Sequence, residues 1–435
     1  MTAAAPPDAS GFRTFLKLWA SQGASGLGSA VAWFSLSIYV AQTLYPLPSQ
    51  RPELALALSL LGLSGALPAL VVVPLAGVWA DRHDRRRTML TCDLLSGALT
   101  LLAAALMHTG HLPLWALLLT SVLISVLGSF HGASFDTSYS LLVSRAQLPR
   151  AGGLMQTMGS LSQLLAPALA ALLIALPGGV PMSLLTDALS FWLAAVVLWR
   201  LRIPRPPATD HGIRPPLKDD LLFGWRYILR RPPLLALLLT FAAVNFSWSP
   251  LQVFETLLLK GRLADDLNAH GLSFQAGLAL LSTLGAAGGL TGGVLVSAWG
   301  GLKTQRIYGV LVPVLLGALG LLTLGLAPGV WLAAAAMFGL FFTGPIMNAH
   351  SQAIWQAQVP SELQGRVFSV RRLIAQFTGP LSVGLAGLLA ARFPVPAILL
   401  VLAGLLGVVV LVQFVNPSLR RVEDREYLEA LAQRS

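Results

Sequence analysis

Charge is what this chain has least of. Of 435 residues, only 11% are Asp, Glu, Lys or Arg and 55% are apolar, against roughly 25% charged in an ordinary soluble domain. So little charge cannot solvate a surface of this size, which excludes a soluble globular protein and points to a membrane chain. Cysteine is nearly absent too. The single Cys92 rules out an internal disulfide and any multi-thiolate metal site, and no metal or cofactor is expected. There is no G-x-x-x-x-G-K-[ST] phosphate loop, no heptad array and no soluble segment large enough to bind a nucleotide, so ATP is not expected as the direct energy source. The first eleven residues carry no basic n-region or cleavage motif, so no removable signal peptide is expected. No nucleophile, base and orienting group gather at one motif, which argues against an enzyme.

What is there is apolar length. A membrane-spanning helix needs about 20 mostly apolar residues. Twelve such runs can be marked, at 12–44, 53–79, 89–108, 112–143, 152–176, 181–201, 232–259, 272–299, 304–327, 330–357, 367–391 and 395–416. The stretch between runs six and seven is rich in Pro and charge and splits them six and six. The expected domains are an N-terminal bundle at 1–201, a cytoplasmic linker at 202–231, a C-terminal bundle at 232–416 and a cytoplasmic tail at 417–435. Within the linker, Leu217–Arg230 is expected to form a surface helix with Leu221, Leu222, Trp225 and Ile228 on its apolar side. The tail is expected to form a charged helix over Val422–Leu431.

The net charge of +11 is spread between the apolar runs rather than gathered in a patch, so nucleic acid is not an expected partner. With the N-terminus in the cytoplasm, the outer loops hold Arg51, Lys260, Arg262 and Arg392. That leaves 25 of the 29 basic residues inside. Loop charge therefore points to both termini in the cytoplasm, and the inner membrane of a prokaryote is the expected location.

The densest charge cluster is Gly77-Val-Trp-Ala-Asp-Arg-His-Asp-Arg-Arg-Arg87, a short aqueous turn between runs two and three. The halves of the chain also echo each other. Gly152, Gln163 and Pro167 of run five fall on Gly365, Gln376 and Pro380 of run eleven at one offset of 213, as weak internal repeats of a transporter do. The counterpart of the charged turn, Trp299–Arg306, keeps Lys303 and Arg306 but has no acid.

Gly77, Ala80, Asp81, Arg82, Arg85 and Arg86 resemble the loop signature G-x-L-A-D-R-x-G-R-R of the major facilitator superfamily. The chain departs from it at Trp79 and Asp84. The Asp at position 84, and Thr-Asp-Ala-Leu-Ser-Phe around Asp187, look like the exporter branch of enterobactin, macrolide and multidrug efflux proteins. The resemblance covers about residues 12–416. It implies an all-α integral membrane fold, with twelve transmembrane helices in two pseudo-symmetric six-helix bundles around a central cavity lined by helices one, four, seven and ten. It also implies a cytoplasmic latch in which Asp81 meets the start of run eleven near Gly365 and Arg366, with Arg145 as a candidate partner. The bland reading of Arg85–Arg87 is inside-positive anchoring. Asp93, one turn beyond the loop, is expected to pair with Arg86 or a neighbour.

Polar residues inside the runs fall into stripes at helical spacing. They are Gln22, Gly26, Ser29, Trp33 and Ser37 in run one; Ser125, Ser129, Gly132, Asp136 and Tyr139 in run four; Asn245, Trp248, Gln252 and Glu255 in run seven; and Asn348, Gln352 and Trp355 in run ten. The cavity reading competes with helix packing through small polar residues. A carboxyl that alternates between water and a drier place can load and release a proton, which makes Asp136, Asp187 and Glu255 the coupling candidates. Glu255 could equally form an ion pair with Lys260 or Arg262. His131 and His350 read first as packing histidines, with His131 kept as a proton candidate. The helix-five motif of the family's antiporters is present as Ser162, Ala166, Pro167, Ala170 and Ala171, small but without its glycines. Run one has no acid, and run four lacks the Arg often found there.

The expectation is a secondary transporter working as a monomer by alternating access. It would export a bulky amphipathic or cationic small molecule, such as a drug or siderophore, against protons or another coupling ion. A nutrient uptake symporter is the alternative among transporters, and a lipid-moving or sensory membrane protein the alternative of another class.

Overall fold

The computed structural model describes residues 9–144, 147–201, 203 and 217–434, which are helical with short connections and contain no strand. Among them, twelve helical stretches are long and apolar enough to cross a membrane. The chain divides into two compact units, Met1–Asp210 and His211–Ser435. The division falls inside the expected linker, and the linker helix and tail belong to the second unit.

Unit 1 holds α1 (Ala9–Tyr39), α2 (Arg51–Arg82), α3 (Arg85–His108), α4 (Leu114–Leu142), α5 (Leu148–Ala175) and α6 (Val180–Arg200). Here α1 packs on α5 and α6, α3 on α4 and α6, and α2 on α4. The α2–α3 turn is tight because Asp84 caps α3, its Oδ1 accepting the Arg87 N–H at 3.1 Å, so one of the four unpaired donors at that helix start is met. Gly97 gives α3 its approach to α6, since a Cβ there would fall 2.5 Å from the Trp192 indole nitrogen.

Unit 2 holds α7 (Leu217–Leu229), α8 (Pro232–Trp248), α9 (Leu251–Lys260), α10 (Ala264–Ala269), α11 (Phe274–Trp299), α12 (Tyr308–Leu326), α13 (Val330–Gln358), α14 (Ser361–Ala390), α15 (Val395–Val415), α16 (Pro417–Arg420) and α17 (Arg425–Arg434). The closest approach is α11 on α13. A Cβ at Gly288 or Gly292 would collide with the backbone carbonyl of Phe338 or Phe342, so the small residues let two backbones meet. Asp266 of the unexpected short helix α10 accepts the Val330 N–H at 2.7 Å and so caps α13.

One expected element is corrected. Run seven is not a continuous helix: it breaks at Ser249-Pro250 into α8 and α9. Proline lacks the amide that would donate to the Phe246 carbonyl, and the Ser382 hydroxyl donates to that carbonyl instead. A stripe counted through the break at 3.6 residues per turn therefore does not hold.

Candidate transport site

The face of α1 organises unit 1. Gln22 and Ser29 are seven residues apart, two turns or about 10 Å along one side of the helix, and each holds a buried aspartate. Gln22 Nε2 donates to Asp93 Oδ2 at 3.2 Å, and His131 Nε2 lies 3.3 Å from Asp93 Oδ1. Asp93 is 2% exposed, and the His131 ring stacks on Phe135. Two turns along, Ser29 Oγ donates to Asp187 Oδ1 at 2.9 Å, and Asp187 is 4% exposed.

Beside Asp187 is a pocket of about 240 Å³ toward the α1–α2, α3–α4 and α5–α6 ends of the unit, with Trp33, Leu36, Thr100, Leu117, Ser121 and Leu184 in its wall. Its lining is mostly apolar. Two polar groups stand out, the Asp187 carboxyl and the Thr100 hydroxyl, a buried oxygen without a protein hydrogen-bond partner. A buried polar group with no protein partner is exceptional enough to ask for one. Ser125, also in the wall, donates to the Gly65 carbonyl at 2.6 Å, and Ser129 to the Ser125 carbonyl at 2.9 Å. Those hydroxyls are spent on backbone, while Ser37 is buried.

Asp93, expected to pair with Arg86 or a neighbour, meets Gln22 and His131 rather than Arg86. The guanidinium of Arg86 donates instead to the Leu198 and Trp199 carbonyls, because the unpaired carbonyls at the end of α6 attract a cation. Arg85, 8% exposed, donates to the Ala80 carbonyl at 3.1 Å and to the Thr137 carbonyl at 3.0 Å, tying α2 and α3 to α4. Arg82 is exposed and Gly77 half-buried. The side chains of Asp81 and Arg366, and Arg145 altogether, lie outside the described residues, so the expected latch does too. Asp136 is exposed, and the Tyr139 side chain lies outside the described residues.

In unit 2 the stripes scatter. Glu255, 5% exposed, accepts the Ser282 hydroxyl at 2.9 Å. Arg262, one of the two cations considered for an ion pair with Glu255, donates to the Gly325 and Leu326 carbonyls at the end of α12. Gln252 is exposed and Asn245 half-buried. Trp248 packs against Phe341 and fills the space over Gly317. Trp355 is fully buried, with the Arg371 guanidinium 5.5 Å from its ring centre. Asn348 donates to its own helix at Gly344. Gln352 Oε1 accepts from Arg371 at 2.7 Å. Sequence reasoning passed over Arg371, although an arginine inside an apolar run was signal enough.

A family model described as Major Facilitator Superfamily matches residues 18–383. The chain belongs to the major facilitator superfamily. It is 26% identical over 385 residues to macrolide efflux protein A of Streptococcus pyogenes, covering 88% of this chain and 90% of that protein. It is 27% identical over 391 residues to multidrug efflux pump Tap of Mycobacterium tuberculosis, covering 86% and 88%. Among solved structures it resembles the nucleoside transporter NupG, with a TM-score of 0.66, 12% identity and coverage of 92% and 98%. A bacterial homologue of the iron transporter ferroportin gives a TM-score of 0.63 at 16% identity, with coverage of 97% and 99%. These likenesses bear on fold. The protein is a multi-pass membrane transporter of small molecules, not an enzyme.

Proposed function

We propose that this transporter is a proton-coupled exporter of bulky amphipathic compounds carrying an amine, and that Asp187 is where proton and substrate exchange. The observation that carries the reading is a buried carboxyl at the wall of an apolar pocket, with the serine hydroxyls of Ser29 and Ser190 against it. A carboxylate in such a place attracts either a proton or a cation, and binding one displaces the other. Trp33 supplies an aromatic face to the same cation. Since drug-sized sites run to about 300–1,000 Å³, a pocket of about 240 Å³ would take the amine-bearing limb of a larger molecule. The relatives to which the chain is similar are named for efflux of macrolides and of multiple drugs, which supports export. Asp93 with His131 forms a second protonation site two turns away on the same face of α1. The N-in, C-in orientation in an inner membrane, function as a monomer, and alternating access by the two units complete the reading.

The test is proteoliposomes holding a pH gradient and an internal pH dye, challenged with ethidium, erythromycin and an uncharged sugar. The expected result is collapse of the gradient by the two amphipathic cations, absent with sugar and absent in Asp187→Asn. Binding of either cation by the wild type with no proton movement would overturn proton coupling; proton movement retained in Asp187→Asn would overturn the assignment of the site.

A further inference from the structure

The α11–α12 connection, Gly300-Gly-Leu-Lys-Thr-Gln-Arg-Ile307, is the second charged loop, and it carries no acid. An offset of 220 lays Trp299 on Trp79, Arg306 on Arg86 and Thr304 on Asp84. The first loop has its carboxylate in place: Asp84 accepts the Arg87 N–H at 3.1 Å and lies 3.9 Å from the Arg87 guanidinium. The second loop acquires contacts of the same kind, a main-chain N–H and a guanidinium on a carboxylate, one position earlier in that register and from a residue over a hundred positions further on. Glu423 Oε2 accepts the Arg306 N–H at 2.9 Å, and Glu423 Oε1 lies 3.8 Å from Arg306 Nε.

Glu423 sits between α16 and α17, and the tail that carries it is docked. Leu419 and Val422 are fully buried and Leu428 is 1% exposed. The Glu423 carbonyl accepts Gln358 Nε2 at 2.9 Å, at the last residue of α13, and the Gln358 carbonyl accepts the Tyr227 hydroxyl of α7 at 3.2 Å. From the other side the loop is held by His350. Its Nδ1 lies 2.7 Å from the Ile346 carbonyl, and its Nε2 accepts the Leu302 N–H at 2.8 Å. Those bonds assign a neutral ring with the proton on Nδ1, so His350 brings no charge to the loop.

We propose that Glu423 is a positioning residue of the transport cycle. It is the acid of the second charged loop, delivered by the C-terminal tail, and through it the tail, α7, the end of α13 and the α11–α12 connection move as one body. A half-exposed ion pair is worth little to folding. What the contact does is bind a carboxylate to a main-chain N–H, a stronger and more directional bond than the ion pair alone, between segments far apart in sequence. That each unit's charged loop meets a carboxylate, by two different covalent routes, points to a requirement of the loop in operation. Neither the substrate nor the coupling ion proposed above enters this reading.

The test uses the full chain in lipid nanodiscs, in a Cys92→Ala background with nitroxides at Arg87→Cys and Lys303→Cys. Distance populations are read by electron–electron double resonance, and amide exchange by mass spectrometry. Glu423→Ala is expected to raise exchange at 300–308 and 417–428 and to change the ratio of distance populations at least threefold, with thermal midpoint nearly unchanged. Arg306→Ala keeps the main-chain N–H that Glu423 accepts and removes only the ion pair, so it should move both readouts in the same direction but by less, and adding it to Glu423→Ala should change nothing further. Raised exchange with unaltered populations would reduce the tail to packing and overturn the proposal. Unaltered exchange would overturn it as well. Should Glu423→Ala fail to fold, Glu423→Gln keeps an acceptor without the charge and should shift the populations part of the way; wild-type populations in that variant would overturn the proposal.

Discussion

Asp187 in unit 1 and Glu255 in unit 2 are chemically alike: both are buried carboxyls that accept a serine hydroxyl at 2.9 Å. Their surroundings differ. Asp187 lines a pocket with an aromatic wall and an unpartnered hydroxyl close by, whereas Glu255 lies within Val253–Leu259, a stretch buried at every position. A buried acid is informative about function when there is room beside it for something to bind. Without that room, it is a polar group satisfied inside a bundle. The comparison breaks if the two respond alike to amide substitution. Asp187→Asn is expected to lower proton-driven transport by about 100-fold or more, the scale of losing a positioned proton carrier. Glu255→Gln keeps the Ser282 bond, so transport should stay within a few-fold and stability within about 1 kcal/mol. Initial rates under an imposed pH gradient, beside thermal midpoints, decide it. Equal loss in both variants would make Glu255 a coupling residue too.

A second way to sharpen the contrast is to remove the aromatic wall and leave the acid. Trp33→Ala is expected to weaken binding of an amphipathic cation about tenfold, since an aromatic face toward a partly desolvated cation is worth roughly 0.5–2 kcal/mol. Trp248→Ala, which empties a packed position in unit 2, should instead lower the thermal midpoint and leave affinity alone. Ligand titration and melting curves on both variants separate the two roles. Weakened binding in Trp248→Ala alone would move the site to unit 2.

The glycines carry the comparison into packing. At Gly97 an added methyl meets chiefly the Trp192 indole, a side chain that can turn away, with the Ala188 carbonyl at 3.2 Å, whereas at Gly288 it would fall 2.1 Å from the Phe338 backbone carbonyl, which cannot. Gly288→Ala is therefore expected to cost about 1–3 kcal/mol, the usual range for overpacking, and Gly97→Ala clearly less. Thermal midpoints in a fixed detergent rank the two, with Gly404→Ala, where the methyl meets nothing, as the control.

Much of this molecule could be read before its structure, for a physical reason. Spans are written in apolar length and loops in charge, and both signals are local, so the helices lie close to the twelve apolar runs. The loop motif carried the family in the same way. What could not be read was direction. The α1 stripe put Gln22 and Ser29 on one face, but nothing local says that Asp93 and Asp187 arrive there from α3 and α6. Run seven failed through a local signal passed over, the proline at 250. Arg86, one candidate partner for Asp93, and Arg262, one of two considered for Glu255, went to helix-end carbonyls, since a spent backbone is invisible in a list of charges. Glu423 is the extreme case: the acid missing from one loop is supplied by a different part of the chain.

The smallest expected effect concerns pH at the tail. Asp424 accepts the Tyr427 N–H at 3.0 Å and an Arg421 guanidinium hydrogen bond at 2.8 Å. The Tyr427 amide first, and the Arg421 side chain next, hold its carboxyl below the usual carboxylate value, which is about 3.9. For a depressed carboxyl, the stabilising contribution is complete above the unfolded value and is lost as pH falls through the lower folded one. Protection of α17 against amide exchange should therefore not change through this group between about pH 8 and 5, and should decline only below about pH 4. Asp424→Asn should remove that acid step and lower protection slightly at neutral pH. A decline centred near neutrality that survives Asp424→Asn would mean that the tail answers to another group.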